Sequence, residues 1–174
     1  SQNFTGGLGG FHRRSENTVD WLKRSADDRW TASDLGTVET TGFEASLVYL
    51  RSDKRFSFEA YYLYADKNPS VDAYASRYAL DYARNLVQCV AAWQATGNLR
   101  LIARQGLRWQ ADNRERSGDD FGSPASLEVR WMPRIPGRVT FSMAIANLWN
   151  DQYQNLPGQR AADRAVFVSA RKMF

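Results

Sequence analysis

Long and short connections alternate without exception between eight amphipathic segments of this chain, and that regularity restricts its fold more than any single motif does. The segments show themselves by period-two alternation, the mark of a strand with one apolar and one polar face. Leu127, Val129 and Trp131 alternate with Ser126, Glu128 and Arg130. Val139, Phe141, Met143 and Ile145 alternate with Arg138, Thr140, Ser142 and Ala144. Phe43, Ala45, Leu47 and Tyr49 oppose Glu44 and Ser46, while Phe56, Phe58, Ala60, Tyr62 and Tyr64 oppose Ser57, Glu59 and Tyr61. Leu99, Leu101, Ala103, Leu107 and Trp109 stand in front of Arg100, Arg104, Arg108 and Gln110. At the C-terminus Val166, Val168, Ala170 and Phe174 share one face, and Phe167, Ser169 and Arg171 take the other.

Two segments are less regular. Tyr78 to Thr96 reads as one long strand with a register change near Asp81 to Asn85. Asn3 to Lys23 reads as a strand despite Gly6, Gly7, Gly9 and Gly10, which weaken its signal.

The connections then sort themselves. Ser52 to Lys54, Gly97-Asn98 and Pro133 to Gly137 are tight turns, whereas Arg24 to Leu35, Asp66 to Arg77, Asp112 to Ser123 and Asn150 to Arg164 are long and polar. Strict alternation puts every long loop at one end of the strands and every short turn, with both termini, at the other. A Greek-key sandwich has no reason to segregate its loops this way. An up-and-down barrel crossing a membrane does, with long loops outside and short turns within. Tyr61, Tyr62, Tyr64, Trp93, Trp109, Trp131 and Trp149 lie near strand ends, the depth of the two interfaces.

Composition is compatible with that reading. Apolar residues make up 43% of 174 residues, and mean hydropathy is −0.55. That is too polar for a helical membrane protein, but barrel strands need apolar residues only at alternate positions. Ser1 to Gly10 has neither a basic nor an apolar leader pattern, so the chain is expected to be processed or a fragment. A net charge of +4 raises the question of nucleic acid. Because the Lys and Arg residues are scattered singly on alternating segments, no nucleic-acid partner is expected.

The residues offer little chemistry. The single Cys89 has no disulfide partner, and the single His12 cannot build a multi-histidine metal site. No nucleophile and base can be placed together, so no enzyme, cofactor or metal is expected. The acidic pairs Asp27-Asp28 and Asp119-Asp120, with Asp34, read as solvated loop acids or as groups bridged by divalent ions to lipopolysaccharide. Trp30, Tyr74, Phe121 and Tyr153 are the candidates for ligand contact, because binding groups ride on loops above a rigid scaffold, although the same rings can pack the loops together. Arg100, Arg104, Arg108 and Arg130 would line an interior, where they pair with neighbouring strands or an internal domain, or attract an anionic substrate.

Three stretches carry a family resemblance: Val19-Asp20-Trp21, the run Leu35-Gly36-Thr37-Val38-Glu39-Thr40-Thr41-Gly42-Phe43-Glu44, and Ala146-Asn147-Leu148-Trp149-Asn150-Asp151-Gln152-Tyr153. With the terminal Phe174, they resemble, in order, the C-terminal portion of a TonB-dependent outer-membrane receptor. The resemblance implies an all-β fold of about eight antiparallel up-and-down transmembrane strands, the C-terminal part of a 22-stranded barrel spanning 1–174, with the plug domain absent. It implies energy-coupled import of a scarce nutrient such as a siderophore or cobalamin. The implied partners are outer-membrane lipid and lipopolysaccharide, the N-terminal barrel and plug, and TonB through that plug, in the outer membrane of a Gram-negative bacterium. Phe174 resembles the barrel-assembly signal. Lys172 departs from the pattern, an aromatic being usual there; its stem is long enough to snorkel to the interface. The alternative is a self-contained eight-stranded barrel with a structural or adhesion role.

Overall fold

The computed structural model describes residues 3–71, 73–134 and 139–172. Phe174 and part of the Pro133 to Gly137 turn lie outside the described residues. Among those described there are fourteen strands and no helix. In chain order they are β1 (Asn3–Ser15), β2 (Val19–Lys23), β3 (Thr31–Asp34), β4 (Val38–Leu50), β5 (Phe56–Pro69), β6 (Ala75–Ser76) and β7 (Ala83–Thr96). The others are β8 (Leu99–Gln110), β9 (Phe121–Gly122), β10 (Ala125–Trp131), β11 (Val139–Ala146), β12 (Gln154–Leu156), β13 (Gln159–Arg160) and β14 (Ala165–Lys172).

Eight of these form one wall in the order β1-β4-β5-β7-β8-β10-β11-β14, each antiparallel to the next. The sheet is open, with β1 and β14 as its edges. The six short strands all belong to the four long loops. β2, β3 and β6 make a three-stranded sheet, β12 and β13 a hairpin, and β9 adds to the end of β8.

Register carries the alternation across the whole wall. One row of partners runs Phe4, Tyr49, Phe58, Ala91, Ala103, Leu127, Ile145 and Val166, apolar at every strand. On the other face Gln94, Arg100, Arg130, Ser142 and Ser169 form a polar row. Since a slip of one residue would exchange the faces, this pattern fixes the pairing.

Among the described residues the apolar face has no second layer. Leu8 is 83% exposed, Val168 78% and Met143 48%. Folded domains bury such a face against another element, so this one needs a covering other than water. The buried apolar cluster instead lies at the long-loop end, where Leu22, Leu35 and Val38 pack with Ala73, Ala79 and Leu80.

Rings on the apolar face form two bands. Toward the short turns, Phe4 meets Tyr49 at 4.7 Å between centroids, Tyr49 meets Phe56 at 6.1 Å, and Trp131 stacks on Phe141 at 5.6 Å. Toward the loops, Phe43 contacts Tyr62 at 5.4 Å and Tyr64 at 5.6 Å, and Trp109 contacts Phe121 at 5.2 Å. From Phe56 to Tyr64 along β5 is about 27 Å of strand. A tilt of about 40° reduces this to about 21 Å of height, against about 25 Å for a barrel's apolar band.

Three expectations are corrected. The long Tyr78 to Thr96 strand begins only at Ala83, because the amides of Tyr78 and Ala79 are taken by the Asp20 carboxylate and cannot serve a ladder. The expected register change is present, between Ala83 and Asn85, and a second lies between Gln94 and Thr96. Asn3 to Lys23 is two strands: Asn17 adopts a positive φ of 53°, after which β2 leaves the wall for the loop sheet. Tyr61 is not an interfacial ring, since register puts it opposite Ser46 on the polar face, where its hydroxyl donates to Glu44 Oε2 at 3.0 Å.

Candidate functional site

The four loops, 16–37, 70–82, 111–124 and 147–164, are tied into one cap. Its first anchor is Asp20 on β2, 4% exposed. One carboxylate oxygen accepts from the Ser76 hydroxyl at 2.5 Å and from the amides of Tyr78 and Ala79 at 3.1 and 2.9 Å. The other accepts from the Trp21 amide at 2.7 Å. Alternation along β2 sends Val19 and Trp21 outward and Asp20 with Leu22 inward, so the acid enters the cap beside the apolar cluster.

A second anchor binds the second loop to the third. Arg116 is buried and pairs with Asp81 and Asp120, while Nη1 also donates to the Ala111 carbonyl at 3.1 Å. Asn113 donates to the Ser76 carbonyl at 2.7 Å. Lys23 Nζ on β2 reaches Glu115 of the third loop at 2.8 Å. The fourth loop joins through Gln154 Nε2, which donates to Ser117 Oγ at 2.6 Å, and through Asp151, which accepts from the Ser123 amide at 2.5 Å.

The four candidate contact rings fall in different loops. Trp30 lies between Lys23, 5.5 Å from its centroid, and Arg77, at 5.9 Å. Tyr74 carries Arg114 at 5.0 Å, and Tyr153 carries Arg108 at 5.4 Å. Phe121 sits on Trp109 in the ring band nearer the loops. The rings are therefore not gathered round one point, and three of the four have a cation on a face that a ligand would otherwise meet.

Tyr153 alone of these lines the main cleft, about 530 Å³, between the polar face of the wall and the fourth loop. Gln88, Arg104, Ser126 and Phe167 form its floor and Asn155 and Ala161 part of its roof. The fourth loop is held down by Arg108 Nη1 donating to Asn155 Oδ1 at 2.8 Å and Gln110 Nε2 donating to the Asn155 carbonyl at 3.2 Å.

The arginine row is partly satisfied within the wall. Glu128 accepts from Arg104 at 3.2 Å and from Arg130 at 2.5 Å. Arg108 serves the fourth loop, as above. His12 shares a 3.1 Å hydrogen bond with Thr41, and Cys89 stands on the apolar face opposite Ala60 and Gln105. Of the loop acids, Asp28 accepts from the amides of Arg24 and Ser25, and Asp34 from that of Gly36. Among the described residues no three metal-ligating side chains converge.

Sequence reasoning missed the cap's anchors. Asp20 had a usable signal, a lone acid between Val19 and Trp21 in an alternating strand, where the inward position should be apolar. Arg116 had none, because it sits in the polar stretch Asp112 to Asp120 among five other charges.

No family model matches this chain, and no curated protein matches it. Among solved structures it is similar to the ferric-catecholate import receptor Fiu from K12 E. coli in its closed form, with a TM-score of 0.65 and 16% sequence identity. The alignment covers 98% of this chain and 25% of that one, so the chain spans about a quarter of the length of the structure it matches. At this identity the likeness is one of fold: an all-β antiparallel wall of the kind found in a barrel-type receptor.

Proposed function

We propose that this chain is wall and outer-loop structure of an outer-membrane import receptor, contributing about eight strands to a larger barrel that lies in the outer membrane of a Gram-negative cell. The observation that carries the reading is the single-layer wall whose apolar face, bounded by two ring bands, runs unbroken over eight strands. In lipid that face is solvated and the strands pair one another's backbone groups, while in water it is a liability. The fold likeness to an import receptor supports the same assignment. Outer-membrane lipid and lipopolysaccharide then cover the apolar face, and the polar face looks onto the interior.

In this reading the chain is a scaffold for uptake and not a catalyst. The rest of the barrel, a plug inside it and TonB acting through that plug are its proposed partners, and a scarce nutrient such as a siderophore or cobalamin its proposed cargo. The open edges at β1 and β14 favour a segment of a larger barrel over a closed eight-stranded one.

Two measurements test this. Single cysteines replacing Asp27 in the first loop and Lys54 in a short turn, in a Cys89→Ala background, are labelled on whole cells with an impermeant maleimide. Residue 27 should label on intact cells and residue 54 only after the outer membrane is opened; equal labelling of both overturns the topology. Cysteines at Gly9 and Val168 should not crosslink within one chain. Efficient crosslinking would establish the closed barrel instead.

A further inference from the structure

The short-turn rim is basic, and we infer that it is a docking surface for anionic phospholipid headgroups. Arg51, Lys54 and Arg55 occupy the turn between β4 and β5, and Arg134 follows β10 beside the Gly97 turn; all four are exposed. The one acid among them, Asp53, is committed to the turn itself: Oδ1 accepts from the Arg55 amide at 2.9 Å and Oδ2 pairs with Arg51 at 3.3 Å. The turn is closed by the Arg51 amide on the Phe56 carbonyl at 3.0 Å and by the Lys54 amide on that of Arg51 at 2.8 Å, with Lys54 at a φ of 57°. The cations are thus held at a fixed height. The loop cap, by contrast, mixes its cations with most of the chain's acids.

What selects lipid over another anionic partner is depth. The rim begins where the ring band nearer the short turns ends, since Arg51 follows Tyr49 by two residues, Arg55 precedes Phe56, and Arg134 follows Trp131 by three. Rings of this kind sit at headgroup level. Cations one to three residues beyond them lie in the plane of the phosphates, where basic residues attract anionic lipid within a Debye length, about 8 Å at 0.15 M salt. Lys172, opposite Val139 on the apolar face, lies at the same height. The inference rests on the membrane placement proposed above.

The test is lipid selectivity of the full chain inserted in phosphatidylcholine vesicles, read by electron spin resonance with spin-labelled phosphatidylglycerol against spin-labelled phosphatidylcholine. The expected result is a several-fold preference for phosphatidylglycerol that falls toward unity in 1 M salt. It should be lost with Arg51→Gln, Lys54→Gln, Arg55→Gln and Arg134→Gln together. It should be kept when the three arginines become lysine, and kept when the loop residues Arg24, Arg29 and Arg160 become glutamine. A chain that inserts and shows no preference, or one that the rim substitutions leave unchanged, overturns the inference alone. Binding of soluble polyglutamate to the rim without any lipid preference also overturns it and assigns the rim to an acidic protein. A chain that does not enter the vesicles even when refolded together with the rest of the barrel overturns the membrane placement and this inference with it.

Discussion

Phe11 on β1 lies directly opposite Gly42 on β4, and its ring occupies the space a side chain at residue 42 would need. A Cβ there would fall 2.6 Å from Phe11 Cζ and would also strike the Tyr64 carbonyl oxygen. The glycine lets the ring lie flat over the strand, and the ring shields the backbone the glycine exposes, a compensation that pins register. Gly42→Val is therefore expected to cost about 1 to 3 kcal/mol, as overpacking does. Phe11→Ala should cost about 0.2 to 1 kcal/mol, the range for a cross-strand pair. In urea titrations of detergent-folded protein, Phe11→Ala should restore only part of what Gly42→Ala loses, because the Tyr64 carbonyl remains in the way. Full additivity would show that the two side chains do not share that space.

Asp20 gives the second prediction. Its buried carboxylate accepts one hydroxyl and three amide hydrogens, and hydrogen bonds to a charged group contribute about 1.5 to 3 kcal/mol. Asp20→Ala should leave the wall intact but release the second loop. Hydrogen exchange at the amides of Tyr78 and Ala79 should accelerate by at least an order of magnitude while the β7–β8 ladder keeps its protection. Loss of protection in both would mean that the cap is needed for the wall to fold.

Arg116 and Asp81 are almost wholly buried against each other, with side chains 1% and 0% exposed. Removing one partner strands a charge, at a cost of about 3 to 5 kcal/mol, whereas replacing both by apolar groups is often close to neutral. Arg116→Met alone should open the third loop to protease. Arg116→Met with Asp81→Leu should recover most of the resistance, Asp120 keeping its exposed side of the site. A double variant as sensitive as the single one would refute the charge account.

How far the sequence disclosed this structure depends on where a residue's partners lie. Leu127, Val129 and Trp131 alternate with a period that only a two-faced strand satisfies, and each one's environment follows from its neighbours two residues away. The wall and its loop segregation were legible for that reason. Ring type alone points Tyr61 to an interface, but its parity between Ala60 and Tyr62 places it on the polar face, opposite Ser46. The cap was opaque: Asp20 reaches Ser76, and Asn113 returns to the same residue's carbonyl, contacts between loops far apart in sequence with no periodicity to announce them. For the same reason Trp30, Tyr74, Phe121 and Tyr153 were recognisable as loop rings, while the cations on Trp30, Tyr74 and Tyr153 were not.

The two faces of β11 separate a membrane wall from a soluble one. Met143 sits mid-strand on the apolar face, opposite Val129 and Val168, and Ser142 beside it faces inward with its hydroxyl 2.7 Å from that of Ser169. On a barrel, an arginine facing lipid near the bilayer midplane costs about 2 to 4 kcal/mol, whereas an inward one meets water and polar groups. Met143→Arg should therefore lower stability by that amount in vesicle-folded protein, and Ser142→Arg by well under 1 kcal/mol, the range of surface substitutions. The contrast should deepen in lipids with longer acyl chains, which carry residue 143 farther from an interface its arginine can reach. Were the apolar face covered by another part of a soluble protein, Met143→Arg would be as costly in buffer as in vesicles and indifferent to chain length.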